Sequence, residues 1–297
     1  MPPVDLETAT VAELTRSLDA KTITSVELTQ GYLDRIAALN SRGPALAAVR
    51  ALNPHALAEA EAADRRRDGR LRGIPVLVKD NIDVADMPTT AGSLALEHSY
   101  PAGDAELVAN LRAAGAVILG KANLTEFANF LAEGMPGGYS SLGGQVRNPY
   151  DAALSPSGSS AGSAVAAAAG LAALTVGTET NGSILSPAAA NSIVGLKPTV
   201  GLVSGAGVVP IARSQDTIGP MARTVADAAA LLTVLTARDT PLSGTDFTAS
   251  LTRDALRGAR IGVVRGGTGR LWSAARAALR DLGATLVPVE LDTDTAD

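Results

Sequence analysis

The chain holds few of the side chains on which hydrolytic chemistry is usually built, and the shortage narrows the search. It has no cysteine and only two histidines, His55 and His98. Thiolate nucleophiles, disulfides and thiolate-bound zinc are thereby excluded. Histidine-bound zinc is nearly excluded too. The stretch Gly158-Ser159-Ser160-Ala161-Gly162 matches the G-x-S-x-G pattern that centres a nucleophilic serine, here Ser160, on a strand-to-helix turn. Its context argues against that role. Asp151 to Ser157, just before it, form no apolar strand, and no histidine follows in the chain.

Without a histidine to activate a hydroxyl, the base must be a carboxylate or a lysine whose pKa burial has lowered. Lysine is scarce. Of 25 Lys and Arg residues only four are lysine, at positions 21, 79, 121 and 197. Lys79 ends the apolar run Gly73 to Val78, where an arginine would be no base because it stays protonated. A structural ion pair with Asp80 or Asp83 would explain the same residue, and composition leaves both readings open. The second cluster is Gly177-Thr178-Glu179-Thr180-Asn181-Gly182-Ser183. Small residues ending at a serine let backbone N–H groups converge on an oxyanion, although a plain turn has the same composition.

These residues need elements to carry them. Residues 8–40 read as two helices, the second opened by Thr24 with Glu27 three positions on, the spacing of a capping box. A third helix covers about 54–68. Gly73 to Val78 is a buried strand, followed by a helix at about 104–114, a strand at Ala116 to Leu119 and a further helix from Asn123. That order predicts a parallel strand pair with a crossover. Between Ala152 and Leu196 there is one ionisable side chain, Glu179, and the Ala-rich part from Ser163 to Ala173 reads as a helix with very close neighbours. Gly- and Pro-rich loops run to Pro220, a helix covers about Thr224 to Ala237, and a strand, helix and strand lie near 260–264, 270–282 and 285–289.

Composition bounds the rest. With 46% hydrophobic residues in 297, the chain can bury a substantial core, but only 3% are aromatic, so that core is built from Ala, Val and Leu. A net charge of −5 with no basic block beyond Arg65 to Arg67 leaves no footprint for nucleic acid. The uncharged run from Ala152 to Thr178 is long enough to span a bilayer, yet its Ser, Gly and Pro content favours a buried element of an α/β domain. No signal peptide is read at the N-terminus, so the expected address is cytoplasmic.

Taken together, the clusters resemble the amidase signature family. The matching motifs run in order: Lys79, Ser155 to Ser163, Gly177 to Ile184 and Gly195 to Thr199. Met87 to Ser93, Gly120 to Leu124, Gly143 to Tyr150 and Gln215 to Pro220 also match, and the form of the Gly177 to Ser183 segment is most similar to the bacterial peptide amidases. The resemblance implies a three-layer α/β/α fold around a mixed, largely parallel sheet. It implies a Ser183 nucleophile, a bridging Ser159 in a cis peptide and Lys79 as base. It also implies an oxyanion hole from the N–H groups of Thr180, Asn181, Gly182 and Ser183, with Ser160 and Asp216 in support. Three positions depart from the family pattern: Ala161, Asn181, and Leu185 where many members carry Arg.

The activity implied is hydrolysis of a linear small-molecule or peptide carboxamide through an acyl-enzyme, a route expected to need no metal and no cofactor. Two alternatives are the glutaminase component of a tRNA-dependent amidotransferase and a non-catalytic scaffold. Family members usually continue well beyond this length. The chain is therefore expected to be one amidase domain shortened at its C-terminal end, with a helical part at 1–70, a catalytic core at 71–237 and the start of a further α/β part at 258–291. A complementary C-terminal chain or a second copy is the expected partner, with neither nucleic acid nor membrane.

Overall fold

A computed structural model describes residues 4–264 and 269–290. The chain divides into two compact units, Met1–Thr245 and Asp246–Asp297. The first carries α1 (Val11–Asp19), α2 (Ser25–Leu39), β1 (Val49–Leu52), α3 (Ala56–Arg65), β2 (Pro75–Lys79), α4 (Glu106–Ala113) and β3 (Val117–Ala122). It continues with β4 (Tyr139–Ser140), β5 (Gly144–Gln145), α5 (Ala161–Ala168), β6 (Leu174–Glu179), α6 (Leu185–Ala190), β7 (Val194–Gly195), β8 (Thr217–Ala222) and α7 (Val225–Leu235). The second unit is β9 (Arg260–Val264), α8 (Arg270–Asp281) and β10 (Thr285–Val289), the two strands pairing in parallel across the intervening helix.

Six strands of the first unit form one sheet in the order β1-β3-β2-β6-β8-β7. β3, β2 and β6 are mutually parallel, while β1, β8 and β7 join by antiparallel pairings. Four strands thus point one way and two the other. The parallel centre is buried along its whole length, which is why β2 reads in the sequence as an unbroken apolar run. The expected β2-helix-β3 crossover is present. So are the paired N-terminal helices, with a reciprocal capping box joining Thr24 and Glu27.

Two readings need correction. No α-helix starts at Asn123. Asn123 and Thr125 are instead drawn into contacts with other segments, and the short 3₁₀ turn Glu126–Asn129 is broken by left-handed Phe127 and Ala128. Thr217 to Pro220, read as loop, lies in β8. Gly219 and Pro220 weaken a strand signature, but β6 on one side and β7 on the other hold this one.

The Ala-rich helix is shorter than expected and begins two residues earlier, at Ala161. It touches its neighbours backbone to backbone. The Gly162 N–H donates to Asn123 O at 3.0 Å, and a Cβ at Gly162 would lie 2.2 Å from Asn123 O and 2.4 Å from Ala48 O. Ser163 Oγ donates to Val176 O and Thr175 Oγ1 donates to Ser163 O, each at 3.0 Å, which ties the helix to β6. Both neighbours of Gly162 are main chain and cannot swing aside. The variant Gly162→Ala is expected to lose about 1–3 kcal/mol, read as a lower urea midpoint.

Candidate active site

The register of β2 and β3 decides which lysine does what. Val78 pairs with Lys121 and Lys79 with Ala122. Side chains alternate along a strand, so Lys79 and Lys121 leave the sheet on opposite faces. Lys121 is the one in a buried ion-pair cluster. Its Nζ lies 3.4 Å from Asp80 Oδ1 and donates to Ile82 O at 2.5 Å and Thr89 Oγ1 at 3.2 Å. Asp80 is further met by Arg50 Nε at 2.5 Å and by the Thr90 hydroxyl. Lys79 makes no ion pair among the described residues.

Lys79 is fully buried, and its Nζ has three partners: Ser159 Oγ at 2.7 Å, Thr178 Oγ1 at 2.9 Å and Thr178 O at 3.2 Å. Burial pulls its pKa down to about 7, against the smaller upward pull of Glu179 and Asp216. A neutral amine has two protons and one lone pair. Both Thr178 oxygens can accept a proton, which leaves the lone pair for the Ser159 hydroxyl. Asn81 Nδ2 donates to the same Thr178 Oγ1 at 3.0 Å.

The three serines converge here by backbone as well as side chain. Ser159 is fully buried, follows a cis peptide bond from Gly158, and accepts at its carbonyl from the Thr125 N–H at 3.0 Å. Ser160 N–H donates to the Ser183 carbonyl at 3.1 Å, and its hydroxyl both donates to Thr178 O at 3.1 Å and accepts from Thr178 N–H at 3.2 Å. Ser160 therefore locks the segments carrying Ser159, Thr178 and Ser183 together. The Ser183 hydroxyl has no hydrogen-bond partner among the described residues, so the Lys79–Ser159 link is made and the Ser159–Ser183 link is not. Catalytic hydrogen bonds commonly tighten only once substrate is bound.

Glu179 organises the turn from Thr180 to Leu185, a role not evident from its being the lone charge in its stretch. Its buried carboxylate accepts from the N–H groups of Gly182 at 2.8 Å, Ile184 at 2.7 Å and Leu185 at 2.9 Å. Gly182 takes φ +84°, a left-handed turn that suits glycine. Its N–H is occupied by Glu179 and is not free for an oxyanion. The N–H groups of Thr180, Asn181 and Ser183 donate to no group among the described residues. Asp216 braces this loop from the side, accepting the Thr180 hydroxyl and the N–H groups of Ile211 at 2.8 Å and Ala212 at 2.9 Å. Thr178 and Asn81 were also missed as site residues. The clues were a polar triplet, Lys79-Asp80-Asn81, closing an apolar strand, and a threonine beside the one acidic residue of β6. Among the described residues no group of three or more His, Asp or Glu side chains is placed to hold a metal ion.

With ¹³C label on the four lysines, the ε-carbon of Lys79 is expected to titrate near pH 7; a midpoint near 10 would contradict its burial. Glu179→Gln should move that midpoint down, since it removes a charge that favours the ammonium. A second outcome concerns stability. The folded pKa lies below the unfolded one, so the folded chain binds fewer protons between about pH 7 and 10.5, and the burden of burying Lys79 is heaviest below 7. Lys79→Met should therefore raise the melting temperature more at about pH 6 than at about pH 9.

Known proteins resemble this chain along most of its length. The Amidase family profile matches residues 27–295. A probable amidase of Arabidopsis thaliana is 48% identical over 278 residues, covering 87% of this chain and 54% of the plant protein. A glutamyl-tRNA(Gln) amidotransferase component of Chloroflexus aurantiacus is 44% identical over 308 residues, covering 97% of this chain and 61% of that protein. The solved peptide amidase of Stenotrophomonas maltophilia superposes with a TM-score of 0.91 at 53% identity, covering 95% of this chain and 62% of that enzyme. The chain thus spans between half and two thirds of the length of these relatives, and in sequence and in three-layer α/β/α fold it belongs to the amidase family.

Proposed function

We propose that the chain carries the catalytic apparatus of an amidohydrolase that cleaves a linear carboxamide through an acyl-enzyme on Ser183. The observation that carries this reading is the buried Lys79 amine. It is drawn down to about 7, lies 2.7 Å from Ser159 Oγ, and is relieved of the neighbouring aspartate by the Asp80–Lys121–Arg50 cluster.

Neutral Lys79 takes the Ser159 proton as Ser159 takes that of Ser183, and Ser183 Oγ adds to the amide carbon. The new oxyanion is met by the N–H groups of Thr180, Asn181 and Ser183, each donor worth about 3–4 kcal/mol of barrier. The C–N bond breaks as the proton returns through Ser159 to the leaving nitrogen. Water then attacks the acyl ester by the same route, releasing the carboxylic acid and restoring Ser183. Each turnover consumes one amide and one water and yields one acid and one amine or ammonia.

Similarity to the amidotransferase component favours a second reading, release of ammonia from glutamine for a partner. The peptide amidase likeness is the stronger, at 53% identity against 44%. Comparing ammonia release from a C-terminally amidated dipeptide with that from glutamine separates the two.

A fluorophosphonate is expected to label Ser183, with labelling abolished in Lys79→Ala and slowed at least about 100-fold in Ser159→Ala. Its rate should rise with pH to a plateau above about 7, as Lys79 loses its proton. Labelling at another serine, or an unchanged rate in Lys79→Ala, would refute the mechanism and leave the non-catalytic scaffold.

A further inference from the structure

The Ser183 hydroxyl has no partner among the described residues, so how near it comes to Ser159 is set by the main chain of the two segments that carry them. Those segments are tied at three points. On the buried side the Ser160 N–H donates to Ser183 O at 3.1 Å. On the outer side the half-buried Ser157 and the exposed Ser186 meet hydroxyl to hydroxyl at 2.7 Å. Ser157 stands two residues before Ser159, and Ser186 three after Ser183. The third tie is Asn191, fully buried at the end of α6, whose Nδ2 donates to Pro156 O at 2.9 Å and to Pro187 O at 2.8 Å.

Both ends of the hydroxyl pair are held by packed neighbours. The Ser186 N–H donates to Gly182 O at 2.7 Å, and Ile184 and Ala188 pack with Ala164 of α5 and Met221 of β8 in one buried cluster. α6 is therefore fixed to the core. The Ser157 N–H donates to Ser155 Oγ at 3.0 Å, and a Cβ on Gly137 would meet Ser157 C and O at 2.9 Å, so its main chain is pressed against a second loop. Ser157 also takes φ +59°. Glycine adopts that conformation freely, whereas a residue with a side chain does so at a cost. The hydroxyl that comes with this cost makes one contact among the described residues, the bond to Ser186. Stability gains little from it, because the pair is exposed and water competes for both hydroxyls.

We infer that Ser157 and Ser186 are positioning residues: their hydroxyl clasp holds the Ser159 and Ser183 segments at the separation from which the two catalytic hydroxyls meet. This rests on the proposed relay through Ser159. Neither clasp hydroxyl bonds Lys79, Ser159 or Ser183 among the described residues, so the pair acts through the main chain and leaves the base alone. Ser160 and Asn191 tie the same segments from within the core, where a substitution would also cost stability. The clasp is the tie that can be cut from outside.

Fluorophosphonate labelling of Ser183 followed across pH, with a melting curve for each chain, separates this role from a purely structural one. Ser186→Ala and Ser157→Gly, the second suited to φ +59°, should each lower the plateau rate about tenfold. Their melting temperatures should stay within about 2 °C of the parent. The pH midpoint should remain at about 7, since the contacts of Lys79 are untouched. The double variant should be no slower than either single one, because both cut the same bond. Ser186→Thr, which keeps a hydroxyl, should label at the parent rate. Parent-like plateaus in both single variants, a double variant slowed by the product of the two, a Thr variant as slow as the Ala variant, or rates that fall only in step with melting temperature would overturn the clasp and leave the relay standing. A parent chain that fails to label at Ser183 would overturn the relay and the clasp together.

Discussion

Removing one amine from water is the constraint on which the rest of this architecture depends. A buried ammonium without a counter-ion is costly, and the protein answers by letting the group shed its proton near neutrality. That answer holds only if no carboxylate touches the nitrogen. Three acids are close in sequence or space, and each is engaged elsewhere. Asp80, the next residue in the chain, is turned to the other face of the sheet, where Lys121 and Arg50 neutralise it. Glu179 and Asp216 act on Lys79 only through space while their oxygens hold backbone N–H and hydroxyl groups of the loops around the site. The same side chains therefore shape the Thr180 to Leu185 turn and partly offset the effect of burial on the amine.

Dry packing beside the amine accounts for the buried part of the middle of the chain. From Ala152 to Leu196 only Glu179 is ionisable, and within that stretch Ser159 to Ala167 and Leu171 to Glu179 are buried and supply the two partners of Lys79, Ser159 and Thr178. Alanine, glycine and serine dominate because main chains approach closely here, as Gly162 does to Asn123 and Ala48. Hydroxyls replace charges as connectors. Ser160, Ser163 and Thr175 each satisfy carbonyls that the tight packing leaves without water.

What was legible in the sequence follows from the range of each interaction. The buried parallel strand β2, the capping box at Thr24 and the α7 start at Thr224 are signalled by residues within a few positions of one another. β8 was not legible, since Gly219 and Pro220 suit a loop and only the flanking strands make them part of a sheet. The false helix after Asn123 has the same origin, because Thr125 is committed to Ser159 and Gly138, contacts that no local pattern encodes. Within the site, Lys79 and the serines stood out by type and motif. Whether Lys79 or Lys121 would pair with Asp80 was a matter of strand register. The grip of Glu179 on Gly182 likewise depends on how the turn closes.

The distribution of the remaining lysines has a practical corollary. Lys21, in the turn after α1, is exposed and Lys197, after β7, is partly so, whereas Lys79 and Lys121 are sealed inside. Acylating dyes, biotin esters and activated resins will therefore couple to the folded protein's lysines at those two outer positions alone. Such a chain can be immobilised through its amines on a solid support with the buried amine of Lys79 left unmodified.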